Sequence, residues 1–218
     1  MAHGIVHNYL KGMTTPLTKM KAQYNSCRNN GVNHCVKESS LPARLALCIG
    51  AKVMLIKNYI VEWKLMNGSV GTVVDIVYEN ADGPNNENTQ PAYVVVDFPY
   101  SCIPPQHKII PNKPSTCIPI PVSTDQCDKK CCSVTMIPLI PCVAITIHKA
   151  QGMTVGPNQI FEKVIVYLPE DNQRKSPGLE LVAFSRATDP NSFAIGNNSS
   201  KLSIMSLRKI GNTPAYQL

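Results

Sequence analysis

The stretch Pro141-Cys-Val-Ala-Ile-Thr-Ile-His-Lys-Ala-Gln-Gly152 marks the point where the sequence changes pattern. Upstream of it, β-branched runs are joined by turn signals; downstream, helical and strand patterns alternate. Proline is favoured at the first helical position and glycine just past the last, so the spacing predicts a helix over 141–151. The end of that helix gathers Thr146, His148, Lys149 and Gln151, four groups able to bond phosphate or base edges. Thr146 and Lys149 stand three apart and share a face, as do His148 and Gln151. The same residues also suit an ordinary polar helix end, with Lys149 near the negative pole of the helix dipole.

Working downstream, 163–168 reads as an apolar strand, and Ser176-Pro177 opens a second helix running through Arg186. There Ser176 would be the N-cap and Pro177 the first helical residue. A short strand over 192–195 and a last helix over 200–208 follow, an alternation that suggests part of a parallel sheet. The second helix has an apolar body, Leu181-Val-Ala-Phe184, and ends in Ser185-Arg186. An arginine so placed can neutralise charge developing on a γ-phosphate. It can equally cap the last carbonyls of its own helix.

Working upstream, Gly50-Ala-Lys-Val-Met-Leu-Ile56 suits a buried strand, Asn67-Gly68 a tight turn, and 70–78 and 92–98 two further strands. Three strands joined in this way make a small antiparallel β unit, a partial barrel. Between 100 and 133 lies a Pro- and Cys-rich stretch with strand pieces near Ile109 and Ile118. Residues 1–40 are polar, basic and weakly periodic, and a short helix over 15–24 is the element expected there.

The 218 residues amount to one or two domains, and 44% hydrophobic content is enough for a packed core. The longest charge-free apolar stretch, 136–147, is broken by Pro138 and Pro141 and falls short of the ~18–20 residues of a membrane span. The N-terminus has neither a basic lead nor an apolar run, so no signal peptide is evident and an intracellular protein is expected, nuclear or mitochondrial if eukaryotic. Net charge is +7, distributed as +7 over 1–57, −3 over 58–148 and +3 over 149–218. Two basic blocks around an acidic middle suit either a polyanion surface or ordinary surface charge. Nine cysteines without a secretion signal favour reduced thiols. Cys127, Cys131 and Cys132, with Cys117 and His107 upstream, are the candidate metal cluster. Zinc sites usually repeat a Cys-x2–4-Cys pair twice, and the second pair is missing here, so thiols in a loop account for the cluster better.

Four segments carry a family resemblance. Thr146-Ile-His-Lys-Ala-Gln-Gly152 resembles motif V of the Pif-one-like DNA helicases, T-I/V-H-K-S-Q-G, and Leu181-Val-Ala-Phe-Ser-Arg-Ala187 resembles their motif VI, Y/L-V-A-L-S-R-V. Gly50-Ala-Lys-Val-Met-Leu-Ile-Lys-Asn58 is similar to the family's G-A-x-V-M-L-x-x-N, and Leu65-Met-Asn-Gly-Ser-Val-Gly-Thr-Val73 to its L-V-N-G-x-x-G-x-V. All four stand in the family's order, and Ile137-Pro-Leu139 fits the approach to motif V. The likeness covers about 41–195. The departures are Ala150 for Ser, Phe184 for Leu, Ala187 for Val and Met66 for Val.

The resemblance, including to helicases of Helitron-type transposons, implies an α/β fold. It would be the second RecA-like (P-loop NTPase-type) domain of a superfamily 1B helicase, with a small SH3-like β domain inserted. On that basis 1–45 is a basic, weakly ordered leading segment, 46–60 and 134–218 form the RecA-like domain, and 61–133 form the insertion. The resemblance also implies roles: Thr146, His148, Lys149, Asn58 and Asn67 on single-stranded DNA, and Gln151, Gly152 and Arg186 at the nucleotide cleft. Arg186 would be the catalytic arginine completing an ATP site. ATP and Mg2+ are the family's cofactors, and single-stranded DNA, the first RecA-like domain or an intact helicase its implied partners. The family's work is 5′→3′ unwinding in DNA repair and recombination. Two other readings stay open: a non-catalytic module for single-stranded nucleic acid, and an interaction subunit docking on a complete helicase.

A phosphate cradle of the form G-x-x-x-x-G-K-S/T holds ATP in such motors. The dipeptide Gly-Lys occurs nowhere in the 218 residues, nor does an Asp-Glu pair to hold Mg2+. The chain is therefore expected to be a C-terminal piece without ATPase activity of its own. A phosphate-release assay on the purified chain should read no turnover above background, and turnover abolished by Arg186→Ala would contradict this.

Overall fold

The β-branched runs become strands, and most of them join one sheet. The computed structural model describes residues 2–25, 39–79, 88–127, 132–167 and 179–196, and the chain divides into two compact units, 1–144 and 145–218. In the first unit helix α1 (Ala2–Lys11) precedes β1 (Thr18–Lys21), β2 (Gln23–Asn25), β3 (Arg44–Leu47), β4 (Lys52–Leu55) and β5 (Val70–Val77). There follow β6 (Tyr93–Asp97), β7 (Cys117–Pro121), β8 (Ser123–Gln126), β9 (Ser133–Met136) and β10 (Leu139–Pro141). The second unit holds β11 (Val164–Tyr167), helix α2 (Leu179–Phe184) and β12 (Phe193–Gly196), with 3-10 turns at Ile147–Ala150 and Pro190–Ser192.

The largest sheet has the order β10-β4-β5-β6-β7, antiparallel throughout. Period-2 alternation sends Val53 and Leu55, Val73, Val94 and Val96, and Ile118 and Ile120 into a single core. Gly71 is required by close strand approach: a Cβ there would lie 2.5 Å from Val96 Cγ1 and 2.6 Å from the Asp97 carbonyl oxygen. A bulge between Val73 and Asp75 bends β5 against β6. Both edges of the sheet carry proline, Pro141 in β10 and Pro119 and Pro121 in β7, where a missing N–H costs no ladder bond.

Two smaller antiparallel sheets, β1-β3 and β2-β9-β8, complete the unit. The Gln90 amide nitrogen donates to the carbonyls of Lys21 (3.1 Å) and Thr135 (2.9 Å), tying the leading strands to β9. Lys57 beyond β4 pairs with Asp125 of β8 and donates to Ser123 Oγ at 2.7 Å, while Ser39 donates to Asp125 Oδ2 at 2.7 Å.

Several expectations change. The helix expected over 15–24 is instead β1 and β2: Met20 is buried while Lys19 and the residues of β2 are exposed, an alternation too short to read against polar neighbours. The leading residues 2–25 are anchored, since Leu10, Met20 and Ala22 lie in the core. The helix expected over 141–151 does not form. Pro141 ends β10 opposite Val53, Cys142 N–H donates to Lys52 O at 3.1 Å, and only Ile147–Ala150 turn, as 3-10. Ile118 lies in β7 but Ile109 in no strand. The second helix is seen as Leu179–Phe184, with Ser185 and Arg186 in the turn after it; 176–178 and 200–208 fall outside the described residues. The strands read at 163–168 and 192–195 appear as β11 and β12 and pair in parallel. No helix among the described residues is long and apolar enough to cross a membrane.

Burial pushes the Asp125 carboxyl up, but hydrogen bonds from Lys57 and Ser39 and the Lys57 charge outweigh it and hold it below its ordinary value. A carboxylate with a lowered folded pKa stabilises above its unfolded value of about 3.9 and loses that contribution as pH falls through the folded one. Asp125→Asn should therefore cost about 1 kcal/mol at neutral pH, a partly exposed pair being worth no more. In denaturant melts across pH the gap to the unaltered chain should close below about pH 4.

Candidate functional site

The 3-10 turn at Ile147–Ala150 is built from its own main chain. Thr146, extended at φ −75° and ψ 154°, accepts from the N–H groups of Lys149 (3.0 Å) and Ala150 (3.2 Å). Gln151 N–H reaches His148 O at 3.4 Å and Met153 N–H reaches Ala150 O at 3.1 Å. Lys149 and His148 lie within the turn, and Thr146 and Gln151 cap its two ends. All four side chains are exposed, while Ile147 and Ala150 are half-buried. Helix α2 packs on this turn. None of the four polar side chains is engaged with another described residue. Gly152 turns the chain with φ +81°.

Beyond Gly152 the segment is zipped to the end of α2. Val155 N–H donates to Arg186 O at 2.8 Å, and Val155 O accepts from Thr188 N–H (2.9 Å) and Thr188 Oγ1 (3.2 Å). Val155 and Ala187 form a parallel bridge. Gly156 fits because a Cβ there would strike Thr188 Oγ1. Arg186 is half-buried. Its Nε donates to Val182 O at 3.1 Å, Nη1 to Met153 O at 3.3 Å and Nη2 to Ser185 Oγ at 2.9 Å. A guanidinium has five N–H donors, so one remains on each terminal nitrogen. The guanidinium thus sits on the residue that follows Gln151-Gly152. Val155, Val166, Ala183 and Ser192 are buried beneath, and Phe184 meets Phe193 edge-on at 5.2 Å.

The structure brings Thr146, His148, Lys149, Gln151, Gly152 and Arg186 into one unit. Asn58 and Asn67 belong to the other unit, where they are joined to each other: Asn58 Oδ1 accepts the Asn67 N–H at 3.0 Å, and both are exposed. Thr188, Ser185 and the Met153 carbonyl carry no sequence signal as partners, because their part is played by main chain or by residue types common everywhere.

Two of the three cysteines in the candidate metal cluster are described. Cys127 and Cys132 are buried, with the N–H of Cys127 donating to Cys132 O at 3.1 Å; Cys131 lies outside the described residues. His107 instead packs on Trp63, ring centroids 5.2 Å apart. Cys117 is buried on β7, where burial and then the Asp97 charge push its thiol up against the opposing pull of Lys113. No three His, Cys, Asp or Glu side chains among the described residues are grouped to hold a metal.

No family model matches this sequence, and no curated protein matches it. Solved structures do. A Pif1 helicase from Candida albicans superimposes with a TM-score of 0.65 at 20% identity over 91% of this chain and 43% of that one. A Pif1 helicase from Bacteroides in complex with ADP-AlF3 and ssDNA gives 0.59 at 19% over 95% and 41%. Bacteroides Pif1 bound to ssDNA gives 0.59 at 19% over 96% and 42%. The chain therefore shares its mostly-sheet α/β fold with part of these helicases and spans about two-fifths of their length.

The zipper makes a measurable demand. Gly156→Ala should destabilise by about 1–3 kcal/mol through overpacking, and amide exchange at Val155 and Thr188 should quicken. Adding Thr188→Ala, which removes the struck oxygen, should recover part of the loss; no recovery in paired melts would place the strain elsewhere.

Proposed function

We propose that this chain is the C-terminal part of an ATP-dependent 5′→3′ DNA helicase of the Pif1 type. In this reading β4, β10, β11, β12 and α2 belong to its second RecA-like domain, over 46–60 and 134–218, and β5, β6 and β7 to an SH3-like insertion over 61–133. The observation that carries it is the exposed set Thr146, His148, Lys149 and Gln151 on and at the ends of one 3-10 turn, without side-chain partners among the described residues, in a segment bridged by main chain to the residues around Arg186. Four motif-like segments in order, and the fold shared with helicases solved with ssDNA and with ADP-AlF3, support the same reading.

The division of labour follows from the side chains. Lys149 is a compact cation for a phosphate, and Thr146, His148 and Gln151 offer shorter polar contacts to backbone or base edges. Arg186 stays protonated and cannot act as a base; its two unspent N–H groups suit the oxygens of a γ-phosphate. ATP with Mg2+ supplies the bond that is broken, and the lysine and carboxylates that cradle it would come from a first RecA-like domain. A module that binds single-stranded nucleic acid without a motor is the second reading, favoured by the lack of a phosphate cradle in these 218 residues. An in-frame cradle motif upstream in the gene would decide for the motor.

Fluorescence anisotropy with a labelled oligo-dT tests the site. Lys149→Ala should weaken binding several-fold and lower the slope of log K against log salt by ~0.7, one phosphate contact on a single strand. Absence of binding even at low salt would remove both readings.

A further inference from the structure

A second feature of the first unit invites a ligand. Tyr93 of β6 points away from the core face of Val94 and Val96, and its register partner is Pro121, with Val95 opposite Pro119. On that outer face Tyr93, Pro119 and Pro121 meet Tyr59 and the loop residues 109–111 around a cleft of about 420 Å³. Tyr59 and Ile109 remain 44% and 47% exposed. The segments that flank the cleft are held by local contacts. Tyr59 N–H donates to Leu65 O at 2.9 Å, Cys102 N–H donates to Trp63 O at 3.0 Å, and Trp63 packs on His107 just before the loop.

Charge selects the occupant. From 99 to 124 the chain carries Lys108 and Lys113 and no Asp or Glu, and both lysines are exposed on either side of 109–111. Glu62 is the acid nearest Tyr59 in the sequence. Aromatic faces flanked by cations are what single-stranded nucleic acid uses, bases on the rings and phosphates on the lysines. A proline-rich peptide would use an aromatic cleft too, but would leave the two lysines without a counter-charge. We propose that this cleft is an additional contact for single-stranded nucleic acid, with Tyr59 and Tyr93 as stacking platforms and Lys108 and Lys113 as phosphate contacts. It rests on the reading that the chain binds single-stranded DNA, but on residues outside the four motif-like segments.

Oligo-dT anisotropy on the full chain, with thermal melts to confirm folding, tests it. Tyr59→Ala should weaken binding about tenfold, in the range of one lost stacked base, while Tyr59→Phe, which keeps the ring, stays within about twofold. Lys108→Ala and Lys113→Ala should each lower the salt slope by ~0.7. If Tyr59→Ala binds as the unaltered chain does while Lys149→Ala weakens binding, the cleft proposal fails and the motif site stands. If the reverse holds, the cleft stands and the motif site fails. Equal losses for Tyr59→Phe and Tyr59→Ala would refute stacking. Capture of a proline-rich peptide that Tyr59→Ala abolishes, with oligo-dT binding unchanged, would reassign the cleft and overturn the proposal.

Discussion

Proline at both edges sets the width of the five-stranded sheet around which the first unit is built. Within a ladder a proline leaves one position without a donor, so it is tolerated only where no further strand has to be joined. Pro141 closes β10, and Pro119 and Pro121 do the same for β7, alternating with Ile118 and Ile120 that point into the core. The sheet therefore cannot grow at either side, and exposed edges of this kind resist pairing with other chains. The outward face of β7 carries those same prolines, which give the neighbouring cleft a rigid wall. Gly71 works at the opposite end of the size scale, letting β5 come close enough to β6 for Val96 and Phe98 to pack over it.

Among the described residues of the second unit, main-chain hydrogen bonds join the segment after Gly152 to the end of α2. Val155 exchanges hydrogen bonds with the residues on either side of Ala187, and Arg186 grips the carbonyls of Met153 and Val182. Met153 links the 3-10 turn to the arginine: its N–H donates to Ala150 O at 3.1 Å and its carbonyl accepts from Arg186 Nη1 at 3.3 Å. An exposed set of polar groups and a cation are thereby made parts of one body. Parallel pairing of β11 with β12 leaves Ile165, Tyr167 and Ile195 exposed, although parallel strands are ordinarily covered on both faces.

Much of this was legible because β-branched runs speak clearly. The strands at 52–55, 70–77, 93–97, 164–167 and 193–196 fall where alternation or continuous Val and Ile put them. The failures have a shared physical origin. Pro141 suits a helix start and a sheet edge equally well, and its neighbours did not decide between them; the strand β4 that it joins lies almost ninety residues earlier. β1 and β2 are short and rich in Lys, Gln and Asn, so only pairing with β3 and β9 fixes their conformation. The polar residues of 146–151 were legible as a cluster whatever the local geometry, since a spacing of three shares a face in a 3-10 turn as in an α-helix. Thr188 and Gly156 were not legible, because a close approach between two loops has no signature in either one.

The partners of Arg186 bear on when such a residue could act. A permanently charged guanidinium left half-buried without acceptors would be costly, and three neutral oxygens remove that cost. Phosphate oxygens bond a guanidinium more strongly than carbonyls do, because both partners are charged. In the proposed role, the N–H left unspent on each terminal nitrogen would meet a γ-phosphate without breaking these bonds, provided that a separate cradle delivers the phosphate at the right distance. Loose phosphate in water brings its own hydration and no such positioning.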